Sequence, residues 1–204
     1  MIKMIKKMNL PNKLTMLRIV LVPVFIILMV LTELKIWDYM NFVALGVFIV
    51  AAITDYLDGK ISRKRNIVTE FGKIMDPLAD KLLVSSALIM LVGIGKIPAW
   101  IVAIIIARDF FASSLRMFGT DNGVAIAAVR SGKIKTLFQM IGIILVIIDT
   151  NAFGTFLEKG TMMGLYELSI NVLSTVSISL ALLATLWSLV DYIVKFGKHI
   201  NVEK

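Results

Sequence analysis

Residues 41–94 read NFVALGVFIVAAITDYLDGKISRKRNIVTEFGKIMDPLADKLLVSSALIMLVGI. An apolar run through Ile53 meets a polar middle, Thr54 to Lys81, and a second apolar run closes at Ile94. Each run, taken with its polar end, reaches the roughly 20 residues a helix needs to cross a bilayer. The apolar residues are continuous rather than alternating, which selects helices over a membrane barrel. The polar middle holds Asp55, Asp58, Asp76 and Asp80. On helices, spacings of three and four put each pair of carboxylates on nearly one face. Bare, they would repel each other. Clustered hard oxygen donors are what Mg²⁺, Mn²⁺ or Ca²⁺ requires. Charges at membrane depth are costly and point to function.

The rest of the 204-residue chain follows the same grammar, with 58% hydrophobic and 18% charged residues. A soluble domain is nearer half apolar and a quarter charged. The reading is an all-α, polytopic membrane protein with six transmembrane helices and an N-terminal interfacial helix. Residues 1–13 place Lys3, Lys6, Lys7 and Lys13 among Met, Ile and Leu, as an interfacial segment does. Pro11 is expected to break it from the first span, about Leu14 to Leu31, near whose start Thr15 and Arg18 lie. Further spans are expected at about Asn41–Ile61, from between Thr69 and Asp76 to Ile94, Ala99–Met117, Gly132–Ile148 and Leu168–Phe196. Asp76-Pro77 reads either as an N-cap with proline at the first helical position or as a kink inside a longer helix. No repeat or linker interrupts the chain, so residues 1–204 are expected to form a single domain.

Six spans put both termini on one side. The termini, the 60–73 and 116–135 connections, Lys81 and Arg108 account for 19 of the 22 lysines and arginines. The other connections hold only Lys35, Lys96 and Lys159. The positive-inside rule therefore places the termini and the aspartate stretch in the cytoplasm of a cell-membrane protein. The net charge of +8 is explained by cytoplasmic loops and anionic lipid rather than by nucleic acid. No cysteine is present, so disulfides play no part.

Written as spacings, the central stretch is D-x2-D-G-x2-S-R-x8-G-x3-D-x3-D. It resembles the signature of the CDP-alcohol phosphatidyltransferase family, with Ser62 where that family has alanine. The flanking LPNKLTMLRIVLVP (Leu10 to Pro23), FGKIMDPLADKLL and GKIKTLFQ (Gly132 to Gln139) are similar to the bacterial phosphatidylglycerophosphate synthase branch. The resemblance runs from about Asn9 to Gln139 and leaves the last two spans generic.

The resemblance implies an enzyme that breaks the pyrophosphate bond of CDP-diacylglycerol. An alcohol, glycerol 3-phosphate in this branch, attacks the lipid-side phosphorus and CMP leaves. It implies two divalent ions, Mg²⁺ or Mn²⁺, on Asp55, Asp58, Asp76 and Asp80. Paired metals can clamp the attacking and leaving oxygens. Asp80 is also the implied base. A carboxylate with a pKa near 4 is a weak base, so positioning must do much of the activation. Gly59 and Gly72 allow close backbone approach to the nucleotide or between helices, and Ser62 lies beside them. Arg63 is implied to pair with a phosphate of CDP, with Asn12 and Thr15 as further CDP contacts. Glycerol 3-phosphate is a dianion and needs a second basic cluster, for which Lys81, Arg108, Arg116, Lys133 and Lys135 are the candidates. Arg108 leads them, as a charge inside a span. Its pairing with Asp109 is not expected, because adjacent helical residues point apart. A homodimer is also implied.

Blander readings stand beside these. Any one aspartate alone would read as a cap or a structural ion-pair partner. Lys64 and Arg65 read as membrane anchors, His199 as a tail residue, and Gly46, Gly93 and Gly142 as packing contacts. Three alternative functions remain: another acceptor (inositol phosphate, serine or phosphatidylglycerol), an ion transporter, and a non-catalytic lipid-binding protein that has lost activity through Ser62. A transport site belongs near the midplane, whereas these carboxylates cluster at one membrane face.

Overall fold

The computed structural model describes residues 9–37, 39–65, 70–121, 130–148 and 165–197. These form six helices: α1 (Leu10–Glu33), α2 (Met40–Arg65), α3 (Glu70–Gly93), α4 (Ala99–Asp121), α5 (Arg130–Ile148) and α6 (Leu165–Gly197). No strand occurs among the described residues. Each expected span is a helix, and the differences lie at the ends. Residues 10–13, assigned to the interfacial segment, belong to α1, whose first turn contains Pro11. Proline is accepted there because the first turn's N–H groups have no intrahelical acceptor to lose. Residues 1–8 lie outside the described residues. The basic residues Lys60 to Arg65 continue α2 rather than forming a connection. α4 runs on to Asp121, past the expected end of that span at Met117. Asp76-Pro77 lies inside α3 and not at its N-cap, which decides between the two readings of that dipeptide.

Among the described residues, three helical stretches are long and apolar enough to cross a membrane: Asn12–Glu33, Met40–Ile61 and Ser169–Asp191. Side-chain distribution agrees. Val20, Ile27, Leu183 and Trp187 are exposed, while α6 buries Asn171, Ser174, Ser177, Thr185 and Ser188. In water this arrangement is inside out. In lipid, apolar residues face the tails and small polar residues allow close helix approach. Two of the hydroxyls are satisfied locally: Ser174 Oγ donates to Asn171 O at 2.9 Å and Thr185 Oγ1 to Ala181 O at 2.6 Å. The protein is a membrane protein.

The chain divides into two compact units, Met1–Met90 and Leu91–Lys204. In the first, α1 and α2 pack antiparallel. α1 buries Asn12, Thr15, Arg18, Val22, Phe25 and Met29, and α2 buries Ala44, Phe48, Ala51, Thr54 and Asp58. Both stripes step by threes and fours, one face of a helix. The Phe25 and Phe48 rings meet at 5.8 Å between centroids. Seven residues back along α1 is Arg18, and seven on along α2 is Asp55. This register brings the polar ends together two turns, about 10 Å, from the aromatic pair.

In the second unit, α6 packs against α5 and α4. A Cβ on Gly142 of α5 would lie 2.7 Å from Ile178 Cδ1 and 3.4 Å from the Ile178 backbone nitrogen on α6. Glycine is what permits that approach. Lys96 Nζ donates to the carbonyls of Val146 at 3.0 Å and Ile147 at 3.3 Å, capping the C-terminus of α5 with a positive charge.

Candidate functional site

Among the described residues two charged clusters form, one in each unit. In the first, Arg18 of α1 reaches both aspartates of the first pair on α2. Its Nη1 lies 2.8 Å from Asp55 Oδ1, and its Nη2 donates to Asp58 Oδ2. The Asp55 contact is an ion pair by distance whose N–H does not point along a hydrogen-bonding line. Arg18 is completely buried and Asp58 is 4% exposed. The Asp55 side chain is 43% exposed, so the pair grades from interior to rim. The three-residue spacing does what the sequence predicted: both carboxylates leave one face of α2 and converge on one cation.

Asn12 and Thr15, expected near the nucleotide, are buried on the same α1 stripe as Arg18. Gly59 is half-buried on α2. Gly72 is buried on α3, Lys81 is half-buried and Asp80 is exposed there. Ser62, Arg63 and Asp76 lie on α2 and α3, but their side chains fall outside the described residues, as do those of Arg116 on α4 and Lys133 on α5.

In the second unit the sequence expected Arg108 and Lys135 to share a site. They meet around a carboxylate that it left aside. Asp109 accepts from Lys135 Nζ with both oxygens, Oδ1 at 2.6 Å, and from Arg108 Nη1 at 3.1 Å. Neighbours on a helix do diverge at Cβ, yet the long arginine side chain reaches back around. The expectation that Arg108 and Asp109 stay apart is therefore corrected. Arg108 Nη2 also donates to Ser188 Oγ of α6. The Gly132 Cα lies where an added Cβ would be 3.8 Å from that same Nη2, so the opening of α5 sits against the guanidinium. Arg108 and Lys135 are 7% and 2% exposed. Among the described residues, two buried cations thus gather at Asp109, and guanidinium and ammonium groups are donors that suit an anion.

Reasoning from sequence missed Arg18, Asp109 and Ser188 as site residues. A signal existed for Arg18, a lone charge inside an apolar span. Ser188 carried none, as one of many serines on a helix that reads as generic.

A family comparison now bears on these clusters. The profile of the CDP-alcohol phosphatidyltransferases matches residues 8–187. The chain belongs to the CDP-alcohol phosphatidyltransferase family. Among its relatives, the CDP-diacylglycerol–glycerol-3-phosphate 3-phosphatidyltransferase of Bacillus subtilis (strain 168) is 46% identical over 143 residues, 66% of this chain and 74% of that protein. The probable phosphatidylglycerophosphate synthase of Mycobacterium tuberculosis (strain H37Rv) is 34% identical over 193 residues, 95% of this chain and 84% of the other. A Pseudomonas fluorescens enzyme with the same name as the Bacillus protein is 32% identical over 204 residues, covering 96% and 94%.

Members of this family generally depend on a divalent metal. The donors of Asp55 and Asp58 fit one: both are hard carboxylate oxygens, and both already converge on a cation, the Arg18 guanidinium. Among the described residues no group of three or more His, Cys, Asp or Glu side chains gathers closely enough to hold a metal. Asp76, the first member of the second pair, is not among those side chains.

Proposed function

We propose that the chain transfers the phosphatidyl group of CDP-diacylglycerol to glycerol 3-phosphate, giving phosphatidylglycerophosphate and CMP. The observation that carries this reading is the convergence of Asp55 and Asp58 at the start of a family signature that continues to Asp80. The choice of acceptor is supported by relatives named for glycerol 3-phosphate.

In this reading Asp55, Asp58, Asp76 and Asp80 hold Mg²⁺ or Mn²⁺, two ions in all, on the cytoplasmic side of the membrane. When bound, the ions supply positive charge to the pyrophosphate and acidify the acceptor hydroxyl. Asp80 takes the proton of that hydroxyl as its oxygen bonds to the lipid-side phosphorus. The bond between that phosphorus and the bridging oxygen breaks, and CMP leaves with the bond's electrons. Arg63 holds a phosphate of the CDP moiety. Gly59, Ser62 and Gly72, with Asn12 and Thr15, shape the nucleotide pocket. Arg108 and Lys135, helped by Lys81, Arg116 and Lys133, bind the acceptor's phosphate. Residues 1–204 act as one membrane domain, and two copies form a homodimer.

The test is CMP release by purified protein in detergent, with CDP-diacylglycerol and glycerol 3-phosphate, in Mg²⁺, Mn²⁺ or EDTA. Release is expected with either metal, is abolished by EDTA, and falls at least about 100-fold in Asp80→Asn, the scale of one lost acid–base group. Turnover with inositol phosphate, serine or phosphatidylglycerol but not with glycerol 3-phosphate would overturn the acceptor. Unimpaired Asp80→Asn would overturn the base.

A further inference from the structure

We propose that Arg18 is the positioning residue for the metal-binding carboxylates, holding Asp55 and Asp58 at a fixed separation and orientation. The inference rests on the reading above that these aspartates hold a divalent ion.

Three observations carry it. The first is connectivity: one guanidinium from α1 contacts two carboxylates three residues apart on α2. A planar fork is the side chain that can fix two acceptors at once, which a lysine ammonium does less well. The second is burial. Arg18 is completely buried in a helix whose span is otherwise apolar, where a charge costs heavily. The third is incomplete satisfaction. Arg18 Nε is buried and has no hydrogen-bond partner among the described residues, so the side chain is not placed to maximise its own bonding. A purely structural buried ion pair is expected to fill its donors, because desolvation otherwise outweighs the Coulomb gain. Arg18 is placed instead to touch both aspartates.

The physical consequence concerns geometry. Asp55 and Asp58 carry like charges on adjacent turns of one helix face. Without a cation between them they turn apart, Asp55 toward its exposed rim, and a site meant for one ion is split. A guanidinium of charge +1 leaves the pair a net −1, still attractive to a divalent cation, while holding the two carboxylates together. Groups that orient metal ligands in this way typically change metal affinity about 10–100-fold when removed.

Mn²⁺ binding to the full-length protein in detergent, read from loss of the free-ion electron paramagnetic resonance signal, tests this without turnover. Measurements belong at a temperature where helical circular dichroism matches the parent. Arg18→Met is expected to weaken Mn²⁺ binding about 10–100-fold. Arg18→Lys, which keeps the charge and loses the fork, is expected to fall between. If Arg18→Met does not fold, Arg18→Lys carries the test. In an Asp58→Asn background the same Arg18 substitution should cost less than in the parent, because one of its two carboxylate contacts is already gone. Mn²⁺ binding unchanged or tighter in both Arg18 variants overturns the proposal and leaves Arg18 as an ordinary ion pair. Undiminished binding in both Asp55→Asn and Asp58→Asn overturns the underlying metal assignment instead.

Discussion

Replacing Asp109 with asparagine should expose how the second cluster is balanced. Asp109 is the carboxylate between Lys135 and Arg108, with its two oxygens on the Lys135 ammonium and one of them 3.1 Å from Arg108 Nη1. Lys135 is 2% exposed, so water cannot take over when the carboxylate goes. Asparagine keeps one oxygen as an acceptor and turns an amide N–H₂ toward a cation. Breaking a buried ion pair from one side costs roughly 3–5 kcal/mol. Asp109 is 23% exposed and Arg108 keeps Ser188, which argues for the lower part of that range. A loss of about 3 kcal/mol is therefore expected. Removing the stranded cation as well, in Asp109→Asn with Lys135→Met, should return much of it, a coupling of about 2 kcal/mol. The assay is unfolding in mixed detergent micelles, followed by helical circular dichroism, for the parent, both single variants and the double. Additive losses, with the double variant as unstable as the two singles together, would refute the reasoning.

Two further predictions concern packing and backbone. Gly142→Ala should leave stability within about 1 kcal/mol of the parent, because helix propensity offsets a shift of the flexible Ile178 side chain. Gly142→Val should lose about 2 kcal/mol, since the added methyls press on the α6 backbone; equal stability of the two variants in the same unfolding assay would contradict the close α5–α6 approach. Lys35, in the turn between α1 and α2, has a φ of 52°, a left-handed conformation that costs a side-chain-bearing residue roughly 1–2 kcal/mol. Lys35→Gly gives back roughly 0.4–1 kcal/mol of this through the greater entropy of the unfolded chain, so a net gain of roughly 0.5 kcal/mol is expected. A thermal midpoint in detergent that falls instead of rising would show that Lys35 makes a contact outweighing its backbone strain.

Some of the candidate site could be read without coordinates. Residues three and four apart on a helix share a face whatever the helix packs against. Asp55 and Asp58 were therefore predictably paired, and Arg108 was predictably unusual as a charge in a span. Lys135 was legible only as one of the two lysines in GKIKT, and only the structure buries it against Asp109. Arg18 lies 40 residues from Asp58, so nothing in local spacing joins them. The link needs the α1–α2 register, which the Phe25–Phe48 contact and the turn length set together. Arg108 and Ser188 are 80 residues apart, and Ser188 is indistinguishable in sequence from the serines that only pack.

By itself the sequence determined the helical class, the positions of the six described helices to within a few residues, the membrane setting and the signature that marks the family. All of these follow from local properties: length, hydropathy, 3.6-residue periodicity and spacing along the chain. Only tertiary structure decided which cation stands between Asp55 and Asp58, and which carboxylate holds Arg108 and Lys135 together. It also decided that α5 and α6 meet at Gly142 closely enough that an added Cβ must displace the Ile178 side chain. Those outcomes depend on the rotation and axial register of one helix against another, which many side chains fix jointly and no single stretch of sequence encodes.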